Sequence, residues 1–209
     1  MIRLAVRFAL LLVVFAAAPA RADDQRSAVT ALKKGGYVVV FRHGATDESQ
    51  KDIYPFRFED MKAQRQLSDK GRETARTIGA SLKELGIPIG EVYTSRLNRA
   101  VETGKLIGAK DVTPKDELTD SGAGSTSSMA NPEGNNEKFG RALRELALAG
   151  QTANANLLIV THKTNVTDAF GKAYADIQEG EALVFRPTKS GLELVARVKA
   201  DDWAKVPRS

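Results

Sequence analysis

Apolar residues along the chain follow two rhythms. Residues 37–41 (Tyr-Val-Val-Val-Phe) and 157–161 (Leu-Leu-Ile-Val-Thr) are almost unbroken apolar, β-branched runs, the pattern of strands buried on both faces. Elsewhere the period lengthens to that of a helix. Ala75, Ile78, Leu82 and Leu85 share one face of a segment that Ser68 can cap and Gly86 can stop. Residues 24–34 form a short amphipathic stretch ahead of Gly35-Gly36. Residues 135–149 place Phe139, Leu143 and Leu146 together, and a further helix follows residue 162 to about Tyr174.

A short strand at 91–95 precedes a helix at 96–107 with Leu97, Ala100, Val101 and Ile107 inward. Residues 182–186 and 192–198 flank Pro187-Thr-Lys-Ser-Gly191, the pattern of an antiparallel edge hairpin. The strand–helix alternation predicts a three-layer α/β/α fold, its sheet mostly parallel with helices on both faces. Two stretches lack periodicity: a polar loop from Ala45 to about Gln66, and residues 116–132, rich in Ser and Gly and read as a cover over something.

Composition narrows the chemistry. The 209 residues include no cysteine and two histidines, which excludes thiolate nucleophiles, Cys-rich zinc sites and disulfide scaffolds. Arg3 and Arg7, the apolar run 8–18 and Ala20-Arg21-Ala22 have the layout of a cleavable signal peptide over residues 1–22. The run is shorter than the roughly 20 residues of a membrane-spanning helix. Cleavage takes three of the 31 basic groups and lowers the formal charge from +5 to +2. The expectation is then a single domain over 23–209, periplasmic, with no stable membrane anchor and without the basic footprint of a nucleic-acid binder. Lys33, Lys34 and the basic residues of 62–72 read as a solvated face, and Trp203 as a packing anchor.

Three predicted strands end in Arg42-His43, in Ser95-Arg96 and in Thr161-His162. Ligands of open α/β sheets sit beyond such ends, and both histidines of the chain stand there. Two imidazoles and two guanidiniums suit phosphoryl transfer, because arginine offers paired donors to a phosphate and a neutral imidazole can accept the phosphoryl group. Helix N-termini after the strands would add N–H donors.

These residues also carry a resemblance. Phe41-Arg-His-Gly-Ala-Thr46 resembles the Arg-His-Gly signature of the histidine phosphatase superfamily, the phosphoglycerate-mutase-like fold. Gln66-Leu-Ser-Asp-Lys-Gly71-Arg72, the segment Ser95 to Thr103 and Val160-Thr-His162 resemble its further motifs in order. The resemblance implies His43 as the phosphorylated nucleophile, a phosphate pocket of Arg42, Arg96, His162 and Thr46, and no metal or other cofactor. For the proton donor it implies Asp120, with Glu117, Asp116 and Glu48 as alternatives. Arg99 and Glu102 read as pairs at the surface or behind the site. Ala45, Ser49 and Lys163 depart from the family's usual residues. The chain is also similar to the lipopolysaccharide core heptose phosphate phosphatases, which would make the substrate an envelope sugar phosphate rather than another phosphorylated small molecule. The competing class is a binding module that keeps the anion pocket but turns over little.

Overall fold

The computed structural model describes residues 20–119, 135–150 and 153–207. In chain order they form α1 (Ala20–Leu32), β1 (Val38–Arg42), α2 (Asp69–Glu84), β2 (Ile89–Ser95), α3 (Asn98–Gly108), β3 (Thr113–Lys115), α4 (Asn135–Ala149), β4 (Asn156–Thr161), α5 (Lys163–Phe170), β5 (Ala182–Thr188) and β6 (Gly191–Val198). One six-stranded sheet has the order β3-β2-β4-β1-β5-β6. The first four strands of that order are parallel, and β5 runs antiparallel to both β1 and β6.

The two apolar runs lie side by side at the centre. Because successive side chains of a strand point to opposite faces, each run feeds two cores. Val39, Phe41, Leu158 and Val160 pack with α1, α2, α3 and Trp203, and Val38, Val40, Leu157 and Ile159 pack with α4 and α5. This is the three-layer fold that the alternation predicts, with the hairpin at the edge. Trp203 is 1% exposed and its ring centroid is 6.1 Å from that of Phe41.

Helix boundaries follow local chemistry. Ser68 caps α2 by accepting from Gly71 N–H at 3.1 Å, and Gly86 follows the helix at φ +67°, a conformation open to glycine. Three features differ from the pattern reading. β3 was not anticipated, since its three residues, Thr113-Pro-Lys115, are largely exposed and carry no apolar signal. α3 starts two residues later than expected, because the Ser95 hydroxyl takes the Leu97 N–H at 3.1 Å and keeps Arg96 outside the helix. α5 ends at Phe170 rather than Tyr174, where Gly171 turns at φ +100° into a separate 3-10 turn over Lys172–Tyr174.

Candidate active site

The pairing of β1 with β4 sets Arg42 opposite Thr161, and His43 N–H donates to Thr161 O at 3.0 Å. The residues that follow the two strands, His43 and His162, are therefore neighbours. Their ring centroids are 5.1 Å apart with planes at 61°, and they are 3% and 2% exposed. β2 lies on the far side of β4, and its last residue, Ser95, places Oγ 2.8 Å from His162 Nε2.

Each ring has a defined polar partner. His43 Nδ1 is 2.8 Å from Gly44 O. A carbonyl can only accept, so Nδ1 carries the proton and a neutral ring keeps the Nε2 lone pair. Ser95 Oγ accepts from Leu97 N–H and has its own proton to offer His162 Nε2. His162 Nδ1 is buried and has no hydrogen-bond partner among the described residues, an unsatisfied group of the kind that marks a ligand or catalytic position.

Burial, with neighbouring positive charge, disfavours the charged form of both imidazoles. Burial pushes His43 well below the ordinary histidine range, and the charges of His162, Arg99 and Arg42 push the same way against the weaker effect of the Gly44 carbonyl. Burial likewise lowers His162, helped by Arg99, Arg65 and Arg42. None of the main influences on either ring is a carboxylate.

Among the expected residues, the structure gathers His43, His162 and Arg42. Arg42 is half-buried, with Nη1 on Ile177 O at 2.9 Å and Nη2 on Glu179 Oε1 at 3.2 Å. Arg96, expected in the pocket, sits at the rim: its side chain is 40% exposed, bonded to Asp116 at 2.9 Å and laid over the Phe58 ring at 4.0 Å. Lying before α3, it escapes the helical phase that turns Arg99 inward. Of the two places the sequence leaves open for Arg99, the structure takes the buried one: it is 1% exposed, with Nη1 on Asp52 Oδ1 at 2.9 Å. The signal for it was periodic, since Arg99, Thr103 and Ile107 recur every four residues on the buried face of α3. Glu102 pairs with Arg72, Oε1 to Nε at 2.7 Å. Arg65 was assigned to a solvated face, yet its charge acts on His162 and Arg42. It lies in irregular chain, where no periodicity could have singled it out.

Thr46 is buried, and its backbone bridges to Leu67. Asp120 lies outside the described residues. Its neighbour Thr119 is held beside the site, with Oγ1 accepting from Arg96 N–H and O accepting from Asn165 Nδ2. Glu48, Asp116 and Glu117 are exposed. Helix N-termini follow β2 and β4, but after β1 the chain first runs through residues 45–66. Only then does α2 return, its Gly71 so close to the turn after His43 that a Cβ there would lie 2.0 Å from Ala45 O.

The 45–66 segment is a bonded strap. Asp47 N–H donates to Gln66 O and Ile53 N–H to Ala63 O. Gln50 and Asp52 side chains accept from the backbone N–H groups of Gln66 and Arg65. Gln64, 2% exposed, donates to the Arg57 and Phe58 carbonyls and accepts from Asn98 N–H at the start of α3. A groove of about 920 Å³ lies elsewhere, beside Asp176, Glu181 and Arg197, whose charges pair with one another.

Comparison with known proteins identifies the family and the fold. Residues 38–144, just over half of the chain, match the sequence model of the Histidine phosphatase superfamily (branch 1). A 2,3-bisphosphoglycerate-dependent phosphoglycerate mutase of Staphylococcus haemolyticus is 39% identical over 70 residues, 34% of this chain and 28% of that protein. The match thus spans little more than a quarter of that relative's length. Among solved structures, the protein histidine phosphatase SixA complexed with tungstate superposes with a TM-score of 0.56 at 19% identity, covering 79% of this chain and 98% of that one. The H9A mutant of a phosphoserine phosphatase from Entamoeba histolytica, in complex with phosphoserine, gives 0.57 at 13%, covering 78% and 97%.

Proposed function

The chain belongs to the histidine phosphatase superfamily, and from that premise we propose that it is an exported phosphatase that hydrolyses phosphomonoesters through a phosphohistidine on His43. The observation that carries the reading is the pair of buried, facing, neutral imidazoles with the His43 proton held on Nδ1. The Nε2 lone pair attacks phosphorus, the bond to the ester oxygen breaks, and the leaving oxygen takes a proton. Water then attacks the phosphorus, the P–N bond breaks, and inorganic phosphate and free His43 result. Arg42, Arg99, Arg65 and His162 hold the non-bridging oxygens, with charge stabilisation doing most of the catalytic work.

The proton comes from Asp120, the residue after the tethered Thr119. Three guanidiniums that act on the imidazoles disfavour a cation at this site, which supports metal-independent hydrolysis. The substrate is a phosphorylated small molecule, an envelope sugar phosphate included, and the signal-like residues 1–22 support a periplasmic location.

Purified protein is expected to hydrolyse p-nitrophenyl phosphate at mildly acidic pH, where lowered imidazoles stay neutral, with no effect of EDTA. His43→Ala should lower kcat by at least about 10⁴-fold, and fractionation with N-terminal sequencing should find a periplasmic chain beginning at Asp23. Vanadate binding without turnover of any phosphoester would favour the binding module instead.

A further inference from the structure

Three of the five large apolar side chains that stand exposed among the described residues, Ile53 (47%), Tyr54 (63%) and Met61 (45%), lie on the one strap that leaves the catalytic turn. Tyr54, Phe56 and Phe58 form a ladder of rings, with centroids 6.0 Å apart at 77° and then 5.8 Å apart at 46°. Scattered exposed apolar residues need no explanation, but a contiguous exposed patch marks a contact surface.

One end of this ladder is tied to the buried arginine of the phosphate pocket and the other to the pocket's rim. At one end Asp52 holds the buried Arg99 at 2.9 Å, and Tyr54 is only two residues on, at most about 7.6 Å along the backbone. At the other end the Arg96 guanidinium covers Phe58 at 4.0 Å. Arg96 directly follows Ser95, whose hydroxyl touches His162. The hydrogen bonds across the strap hold the rings in place without a ligand.

We infer that the ladder seats a planar ring carried by the leaving portion of the substrate, so that the preferred substrates are ring-bearing phosphomonoesters such as nucleoside monophosphates. Phosphate enters the arginine and imidazole pocket, and the ring stacks on the exposed edge of the ladder beside Tyr54. The inference rests on the phosphatase reading for the place of the phosphate, but a binding contrast tests it without turnover.

The test compares AMP with ribose 5-phosphate, which share the phosphate and the ester oxygen and differ in the base. Their dissociation constants are measured by calorimetry on full-length His43→Ala protein, with inorganic phosphate as a report on the pocket. AMP is expected to bind at least about tenfold more tightly than ribose 5-phosphate, as base stacking on aromatic side chains implies. Tyr54→Ala in that background should cut the ratio to about two or less, and Tyr54→Phe should retain it, while inorganic phosphate still binds to both. Equal affinities for the two ligands, or a ratio that survives both Tyr54→Ala and a Tyr54→Ala/Phe56→Ala double variant, would overturn the inference. The former is also the result expected of a ladder built for a protein or lipid surface. Ring-dependent binding with no turnover by the wild-type protein would sink the phosphatase reading alone.

Discussion

The floor of the pocket and the strap above it are held by different kinds of bond. The floor rests on three strand ends whose positions follow from backbone pairing, unbroken between β1 and β4 and regular from Val92 to Thr94 of β2 after a register shift, which sets His43 beside Thr161 and Ser95 beside the end of β4. The strap has a single isolated bridge, Thr46 with Leu67, and scattered backbone bonds such as those of Asp47 with Gln66 and Ile53 with Ala63, and for the rest depends on the side chains of Gln50, Asp52, Gln64 and Gln66 bonding to backbone and to α3. A change in the floor must break the sheet, whereas a change in a few amides can reshape the strap. Chemistry is therefore fixed by register and selectivity is left adjustable.

The sharpest way to break this contrast is to compare two arginines three residues apart. Arg99→Ala is expected to lower kcat by about 10²–10³-fold, the usual loss for a donor to transition-state charge. Arg96→Ala, at the rim, should cost less than about tenfold. Steady-state kinetics on p-nitrophenyl phosphate decides it, and equal losses would erase the division between floor and rim.

Next in size is Gln64→Ala. It strands the Asn98 N–H and two carbonyls of the strap, at a cost of about 1–3 kcal/mol, read from urea unfolding. The same variant should change the ranking of phosphoesters more than the turnover of the best one.

The smallest effect is on pH dependence. Both imidazoles are lowered in the folded protein, so below about 6.5 the unfolded chain binds more protons than the native one. Stability is then greatest above that pH and falls on acidification, by up to about 1.4 kcal/mol per pH unit for each imidazole. Phosphate favours the charged rings and should flatten the slope of thermal midpoint against pH. A slope indifferent to phosphate would place the anion elsewhere.

The same division governs what the sequence disclosed. β1 and β4 announce themselves because burial on both faces demands unbroken apolar runs, and Ser68 and Gly86 mark the ends of α2 by side-chain and backbone chemistry. The two histidines were legible as strand-end residues. For Arg99 the sequence left a surface pair and one behind the site both open although its four-residue spacing with Thr103 and Ile107 was visible, because charged side chains mostly stand in water. Arg65 and the aromatic ladder escaped for a deeper reason. Their placement depends on bonds between distant polar groups, which leave no period in the chain.

One close approach has a practical consequence for anyone seeking a hardier protein. Exchanging helical glycine for alanine is a common route to thermal tolerance, worth about 1 kcal/mol where the helix is open to water. At Gly71 the added methyl would collide with the Ala45 carbonyl and shift the loop that follows His43. That position should be spared in any such campaign, since a methyl forced against backbone costs stability instead of adding it.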